Sequence, residues 1–415
     1  MKQDRKIHYG WIVAFTGFLA LIGAHGFGRM SYTLILPAMK DGLKFSYTQL
    51  GLLETGNFIG YLFMAIVGGM LAAKLGARKV ISIALFAMSI TLVCMGLAHS
   101  FGFAFSMRTI TGIGNGAAYV PAMALGAAWF APKYRGVATG IVTGGIGGGA
   151  MLAGLIVPSI ISHYNVDGWR YAWYFLGVSV FFIAIISAVL LRDRPSDIDL
   201  LPIGQEESDE PSSQVKKSST IEWGKVYKEK KVWHLAAVYF MYGISYIIYI
   251  TFFVVYLMKE QGFSGAQAGG LWALVGGLST LCGIIWGGIS DKIGRAKGMA
   301  LAYTVLGSTY LLYAVTPVKA GLYISAVIFG LSAWSIPTIT AAASGDYVGP
   351  RLAPACLGFI TLFFGIGQAM GPLIGGLIAD HTNSFKLAFA VAFIFSIIGA
   401  ILSLGLRKYE SVLQD

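Results

Sequence analysis

The chain has 415 residues, of which only 12% are charged and 56% apolar, with a mean hydropathy of +0.71. A soluble chain covers its surface with about 25% charged residues, so half that density excludes disordered, nucleic-acid-binding and disulfide-stapled secreted classes. The net charge of +11 is explained by Lys and Arg collecting in loops on one side of a membrane. Cys94, Cys282 and Cys356 all lie in apolar runs and read as small buried hydrophobes without a disulfide.

A helix needs about 20 apolar residues to cross the roughly 30 Å hydrocarbon core. Twelve such stretches can be read, at about 9–37, 47–73, 78–98, 102–130, 136–162, 170–192, 232–258, 265–290, 297–316, 319–344, 353–379 and 384–406. The first follows a basic start but runs on past Ala20 to Leu36 without a cleavage site, which predicts a retained span rather than a signal peptide. The long polar break Arg192–Lys231 carries Pro195, Pro202, Pro211 and an acidic run from Gln205 to Glu210, and cannot bury a core. The expected fold is therefore an all-α polytopic membrane protein with twelve transmembrane helices in two pseudo-symmetric six-helix halves. Its parts are an N-terminal half over 1–192, a linker loop over 193–231 and a C-terminal half over 232–415.

Loop charge predicts the orientation. One side holds Lys2, Arg5, Lys6, Lys74, Arg78, Lys79, Lys133, Arg135, eight more in the central loop, Lys292, Arg295, Lys297, Arg351, Arg407 and Lys408. The other holds only Lys40, Lys44, Arg170, Lys259, Lys319 and Lys386. The asymmetry places both termini and the linker in the cytoplasm, in a multi-pass protein of the inner membrane.

An internal repeat supports the two halves. The stretch GMLAAKLGARK from Gly69 parallels GGISDKIGRAK from Gly287. Setting Ala73 on Asp291 gives an offset of 218, and Arg135 and Arg351 are separated by 216. These turns resemble the signature loop G-x-x-x-D-R-x-G-R-R of the major facilitator superfamily, the first copy departing at Ala73. Arg108, Gly112 and Gly114 are similar to that superfamily's R-x-x-x-G-x-G pattern, and Gly367 to Gly376 adds a glycine-rich eleventh span with Pro372.

A narrower resemblance is to its monocarboxylate and oxalate/formate carriers. It rests on Gly10 and Trp11, on the run Trp129 to Gly140, and on Arg194, Pro195 and Asp197 after the sixth span. Arg29 lies where those carriers place a lysine that meets substrate carboxylate. Where their eighth span carries an arginine, this chain has Gly283.

Ionisable groups inside spans are the informative ones, each costing about 2.5–3.5 kcal/mol or more at mid-helix unless it has partners or water. Arg29 is the expected substrate-binding cation, since a guanidinium takes a carboxylate through two parallel hydrogen bonds. By helix rise it is expected about 9 Å outward of the span's midpoint. Its alternatives are a snorkelling arginine or a pair with Glu54. His25, four residues earlier on the same helical face, is a proton-coupling candidate. Glu54 is a second protonation site or Arg29's counter-ion.

Asn115 and Tyr119 on span four, Tyr246 and Tyr249 on span seven, Trp334 on span ten and Gln368 on span eleven complete the expected substrate-binding set, with helix packing as the alternative for each. Arg108 reads as structural or coupling. Lys74, Arg78, Asp291, Lys292 and Arg295 read as a gate that latches the halves when the outer side is open.

No phosphate-cradling, metal-ligating or nucleophile-elbow pattern is present, so neither an enzyme nor a metal or other cofactor is expected. The reading is a monomeric secondary carrier of a small organic anion, a monocarboxylate, coupled to protons by alternating access in the lipid bilayer, with no nucleic-acid partner. The alternative is a proton-driven exporter of a lipophilic drug or metabolite on the same fold.

Overall fold

The computed structural model describes residues 8–205, 226, 228–316, 318–349 and 352–406. Arg351, both termini and most of the linker from Glu206 onward lie outside these residues. In chain order the helices are α1 (Tyr9–Leu21), a π-helical segment (Ile22–Met30), α2 (Tyr32–Leu43), α3 (Tyr47–Leu75), α4 (Ala77–Gly96), α5 (Phe101–Trp129), α6 (Arg135–Tyr164) and α7 (Gly168–Leu190). The second set comprises α8 (Lys230–Lys259), α9 (Gly265–Ile293), α10 (Arg295–Val315), α11 (Lys319–Ser332), α12 (Ser335–Val348), α13 (Ala353–Thr382) and α14 (Lys386–Gly405). Among the described residues, nine helical stretches are long and apolar enough to cross a membrane, or ten when α3 counts as one span. One of them, Arg135–Leu190, contains both α6 and α7.

Local chemistry sets the boundaries, and it repeats. Ser46 and Gln49 form a capping box at the start of α3, and Ser264 and Gln267 form one at the start of α9. Each serine accepts an N–H that the first turn would otherwise leave unpaired. Gly76 ends α3 at φ +88°, and Gly294 ends α9 at φ +89°. Asn165 after α6 and Asn383 after α13 both take positive φ, a conformation that asparagine tolerates better than most residues. All of these pairs are 218 residues apart, the offset read from the sequence.

Helices that are apolar on every side belong inside a bundle. The chain from Ala20 to Pro37 is buried without a break, and so is Tyr242–Leu257 of α8. These two segments form the axis of the molecule. The flanking helices keep one apolar face outward, with Ile83 of α4, Ile284 of α9 and Ile401 of α14 exposed. That is the surface a lipid solvent requires.

The two halves meet along two seams of close backbone contact. A Cβ on Gly51 of α3 would lie 2.2 Å from the Pro372 carbonyl oxygen of α13, and one on Gly269 of α9 would lie 2.5 Å from that of Gly154 in α6. Gly51 and Gly269, and Gly154 and Pro372, are again 218 apart, so the seams are symmetry mates. Both are tight at the end carrying the α3 and α9 N-termini. Toward the opposite end, which carries the basic loops, a Cβ on Gly136, Gly140, Gly288 or Gly358 would meet nothing within 4 Å. The halves are zipped at one end and parted at the other.

The start of the linker is better ordered than its polar composition suggested. After α7, Trp129 Nε1 donates to the Arg192 carbonyl at 3.0 Å. A short helical turn follows at Pro195–Ile198, and Ile203 then pairs with Phe130 as an isolated β-bridge. Residues 192–205 thus form a strap across the basic end of the first half. Asp193 in it accepts the Arg78 N–H at 2.8 Å and caps the start of α4 beside Gly76. The acid missing at Ala73 is in effect supplied from here.

Candidate functional site

The site lies at mid-depth. Tyr61 is the central residue of α3 and Asn115 that of α5, while Tyr246 and Gln368 lie within two residues of the centres of α8 and α13. Arg29 reaches this level from the π-helical segment, where Ser31 N–H bonds back five residues to the Gly26 carbonyl at 3.0 Å. Gly26 allows the close approach, since a Cβ there would lie 2.4 Å from the Gly149 Cα. Counting along the helix puts the Arg29 Cα outward of the span's midpoint, and the guanidinium bonds to a residue near the centre of α8.

Arg29 Nη2 donates to the Tyr246 hydroxyl at 2.9 Å, across the two halves. The same hydroxyl accepts a short hydrogen bond from Gln368 Nε2. The guanidinium carbon stands 4.2 Å from the centroid of Phe58 and 5.6 Å from that of Tyr61, a cation–π floor. His25 packs against Tyr119 and Tyr61, with centroids 4.7 and 5.9 Å apart, so Tyr61 is a neighbour shared by both groups. Trp334 meets Tyr246 edge-on at 6.0 Å. Phe364 stacks on Tyr239 at 4.4 Å, and Tyr242 stacks on Tyr246 at 4.5 Å, which fixes the plane of the Tyr246 ring.

The electrostatics are one-sided. Arg29 is buried and, among the described residues, has no carboxylate partner. Its Nε, His25 Nδ1, Gln368 Oε1 and both amide atoms of Asn115 are buried without a hydrogen-bond partner. A buried cation and a set of unpaired polar atoms at one level are what a polar anion would satisfy.

Glu54 is not the counter-ion of Arg29. It forms an ion pair with Arg108, whose Nη1 also donates to the Gly28 carbonyl at 2.9 Å. The chain offers two buried cations and one carboxylate here, and spacing along α3 does not decide which cation wins. Tyr249 also departs from expectation. Its hydroxyl is 2.8 Å from Ser325 Oγ, and its ring packs among Tyr310, Tyr313 and Phe329, inside the second half rather than at Arg29. Of the expected residues, the structure brings Arg29, His25, Tyr119, Tyr246, Trp334 and Gln368 together, with Asn115 at the same depth on α5.

Phe58 and Tyr61 were not anticipated. The signal was available, since Glu54, Phe58 and Tyr61 follow the i, i+4, i+7 spacing of one helix face.

The gate candidates bond within their own halves. Arg78 Nε donates to the Ala188 carbonyl at 2.8 Å. Arg295 pairs with Asp291 and, at 2.8 Å, with Asp346. Lys74 and Lys292 are exposed. A cavity of about 520 Å³, lined by Lys74, Gly76, Val120, Ala124 and Asp193 among others, opens beside them. Among the described residues the expected latch at the basic end is therefore unmade, and besides the Arg29–Tyr246 bond the halves share polar contacts at the opposite end. There Asp380 accepts from Tyr47 N at 2.9 Å, Thr48 N at 2.7 Å and Thr48 Oγ1 at 2.6 Å, and Lys259 meets Asp41 at 2.7 Å.

A sequence model described as Major Facilitator Superfamily matches residues 18–315 and 278–413. The chain belongs to that superfamily. It is a membrane transporter, not an enzyme. Among its relatives, a probable sulfoacetate transporter of Cupriavidus necator is 27% identical over 411 residues, covering 92% of this chain and 91% of that one. A hexuronate transporter of Bacillus subtilis is 24% identical, covering 90% of each. Among solved structures, a bacterial homologue of the human lysosomal transporter Spinster, inward-facing and unoccupied, superposes with a TM-score of 0.80 at 18% identity, covering 98% of each chain. That likeness carries the fold.

Proposed function

We propose that the protein is a proton-coupled secondary carrier of a small organic anion, a monocarboxylate, and that Arg29 holds the anionic group. The observation that carries this reading is a buried guanidinium without a carboxylate, bonded through Tyr246 to the other half of the molecule. An anion at Arg29 neutralises a charge that is costly in a dry interior, and the Tyr246 contact lets both halves respond to its arrival. Ligand binding moves a carrier only if it favours the closing form over the open one, and a contact shared between halves supplies that preference. The sulfoacetate and hexuronate transporters among the relatives support an anionic substrate.

His25 is the proton site in this reading. Its Nδ1 is unpartnered and it shares Tyr61 with Arg29, whereas Glu54 is already committed to Arg108. In this reading the protein is a monomer of the inner membrane whose basic loops, termini and parted end face the cytoplasm, and the conformation described is the one open to that side. Alternation then means closing the Lys74/Arg78 and Asp291/Lys292/Arg295 end while the Asp380 contact opens.

The test is uptake of labelled lactate, acetate and oxalate into proteoliposomes under an imposed pH gradient. Arg29→Lys is expected to retain uptake that Arg29→Gln loses. Unaltered uptake in Arg29→Ala would overturn the assignment, and uptake indifferent to the gradient would overturn the coupling.

A further inference from the structure

After four tryptophans, Arg108 is the largest fully buried side chain among the described residues, and its contacts converge on the segment that carries Arg29. Nη1 donates to the carbonyl of Gly28, the residue joined to Arg29 by a peptide bond. Nη2 meets the Glu54 carboxylate. The guanidinium carbon stands 4.5 Å from the centroid of Tyr32 in α2 and 5.8 Å from that of Trp173 in α7. Asn57, on the same helix as Glu54, donates to the Arg108 carbonyl at 3.1 Å. One side chain thus ties α3, α5 and α7 to a single peptide unit of the first span.

That peptide belongs to the nine-residue π-helical segment Ile22–Met30. π-helical turns are rare and are found mostly as single turns at functional sites, so a run of this length needs outside support to resist rewinding as α-helix. Rewinding would change the direction in which Arg29 leaves the backbone. A buried ion pair is weak evidence for a stabilising role, because apolar residues of similar volume often replace it without loss. What apolar replacements cannot do is donate to the Gly28 carbonyl.

We propose that Arg108 and Glu54 are a positioning pair: Glu54 neutralises and orients Arg108, and Arg108 holds the Gly28 carbonyl so that the π-helical segment aims Arg29 at its anion. The aiming part rests on the anion-site reading above, while the holding part does not.

The experiment uses the full-length protein and compares Arg108→Met/Glu54→Leu, Arg108→Lys and Arg29→Gln by thermal melting, hydrogen exchange and labelled lactate uptake. The apolar double variant is expected to melt near the wild type, yet to exchange the Ile22–Met30 amides faster with α4 and α8 unchanged. Its KM for lactate should rise roughly tenfold or more, as misplacement of a binding group does, with the maximal rate much less affected. Arg108→Lys keeps a donor in reach of Gly28 and should recover part of both. Wild-type exchange over Ile22–Met30 in the double variant would overturn the proposal, and so would altered exchange with an unchanged KM when Arg29→Gln loses uptake. If Arg29→Gln transports normally, the anion-site reading fails alone, because exchange still decides whether the pair holds the segment. Glu54→Gln, which keeps the shape and removes the charge, gives the same exchange readout if the double variant does not insert.

Discussion

Adding one methyl group at a seam between the halves should change which state the carrier occupies, whereas adding it within a half should only weaken the fold. In Gly51→Ala the new Cβ would lie 2.2 Å from the Pro372 carbonyl oxygen, and in Gly269→Ala 2.3 Å from Pro158 Cγ. Neither neighbour is the loose end of a flexible side chain, so the helices must part. Overpacking of this kind costs about 1–3 kcal/mol. Because the clash exists only while that end is zipped, the cost falls on one state and shifts the ratio of states by about 5- to 160-fold. Gly60→Ala is the control. Its Cβ would lie 2.1 Å from the Thr109 carbonyl oxygen of α5, a contact within the first half that rocking leaves intact. After replacement of the native cysteines, spin labels at Val166 and Val318 report on the zipped end, and labels at Leu75 and Ile293 on the basic end. Gly51→Ala and Gly269→Ala should lengthen the first distance and shorten the second. Gly60→Ala should lower the melting temperature with both distances unchanged. Wild-type distances in both seam variants would refute the reasoning.

Three further outcomes are expected. Tyr246→Phe removes the hydroxyl that bonds Arg29 and should weaken lactate uptake through KM, whereas Tyr249→Phe should cost about 1 kcal/mol of stability in a melting assay with uptake nearly normal. Asp380→Ala removes the carboxylate that caps α3 from the other half, a loss of about 0.5–2 kcal/mol for a cap, and the Val166–Val318 distance should lengthen without a steric clash. Asp193→Ala should cost a similar cap energy, read as a lower melting temperature and faster exchange at the start of α4, with KM unchanged.

The sequence made the architecture legible because lipid imposes a strong rule on composition, and because the 218-residue offset survives in turns where chemistry is demanding, at Gly76 and Gly294. It made Arg29 legible for the same reason, since a charge inside an apolar run stands out. Pairing was less legible. Glu54 is within reach of two arginines by simple counting, and only the packing of α3 against α5 assigns it to Arg108. Tyr246 and Tyr249 differ by three positions on one helix, yet one turns to the other half and the other turns into its own. The π-helical winding of Ile22–Met30 has no period in the sequence that announces it, and Asp380 looks like an ordinary polar residue at a helix end until α3 is placed above it.

The two seams have the same shape but are held by different chemistry. At the α3–α13 seam a carboxylate grips exposed N–H groups; its symmetry position on α6 is Ser162, whose hydroxyl bonds only within its own helix. One seam is therefore held there by a charged contact that responds to ionic strength, and its mate carries only a neutral hydroxyl at that position. Salt should loosen the molecule on one side only, so that a duplicated scaffold opens first along a single, chemically chosen edge.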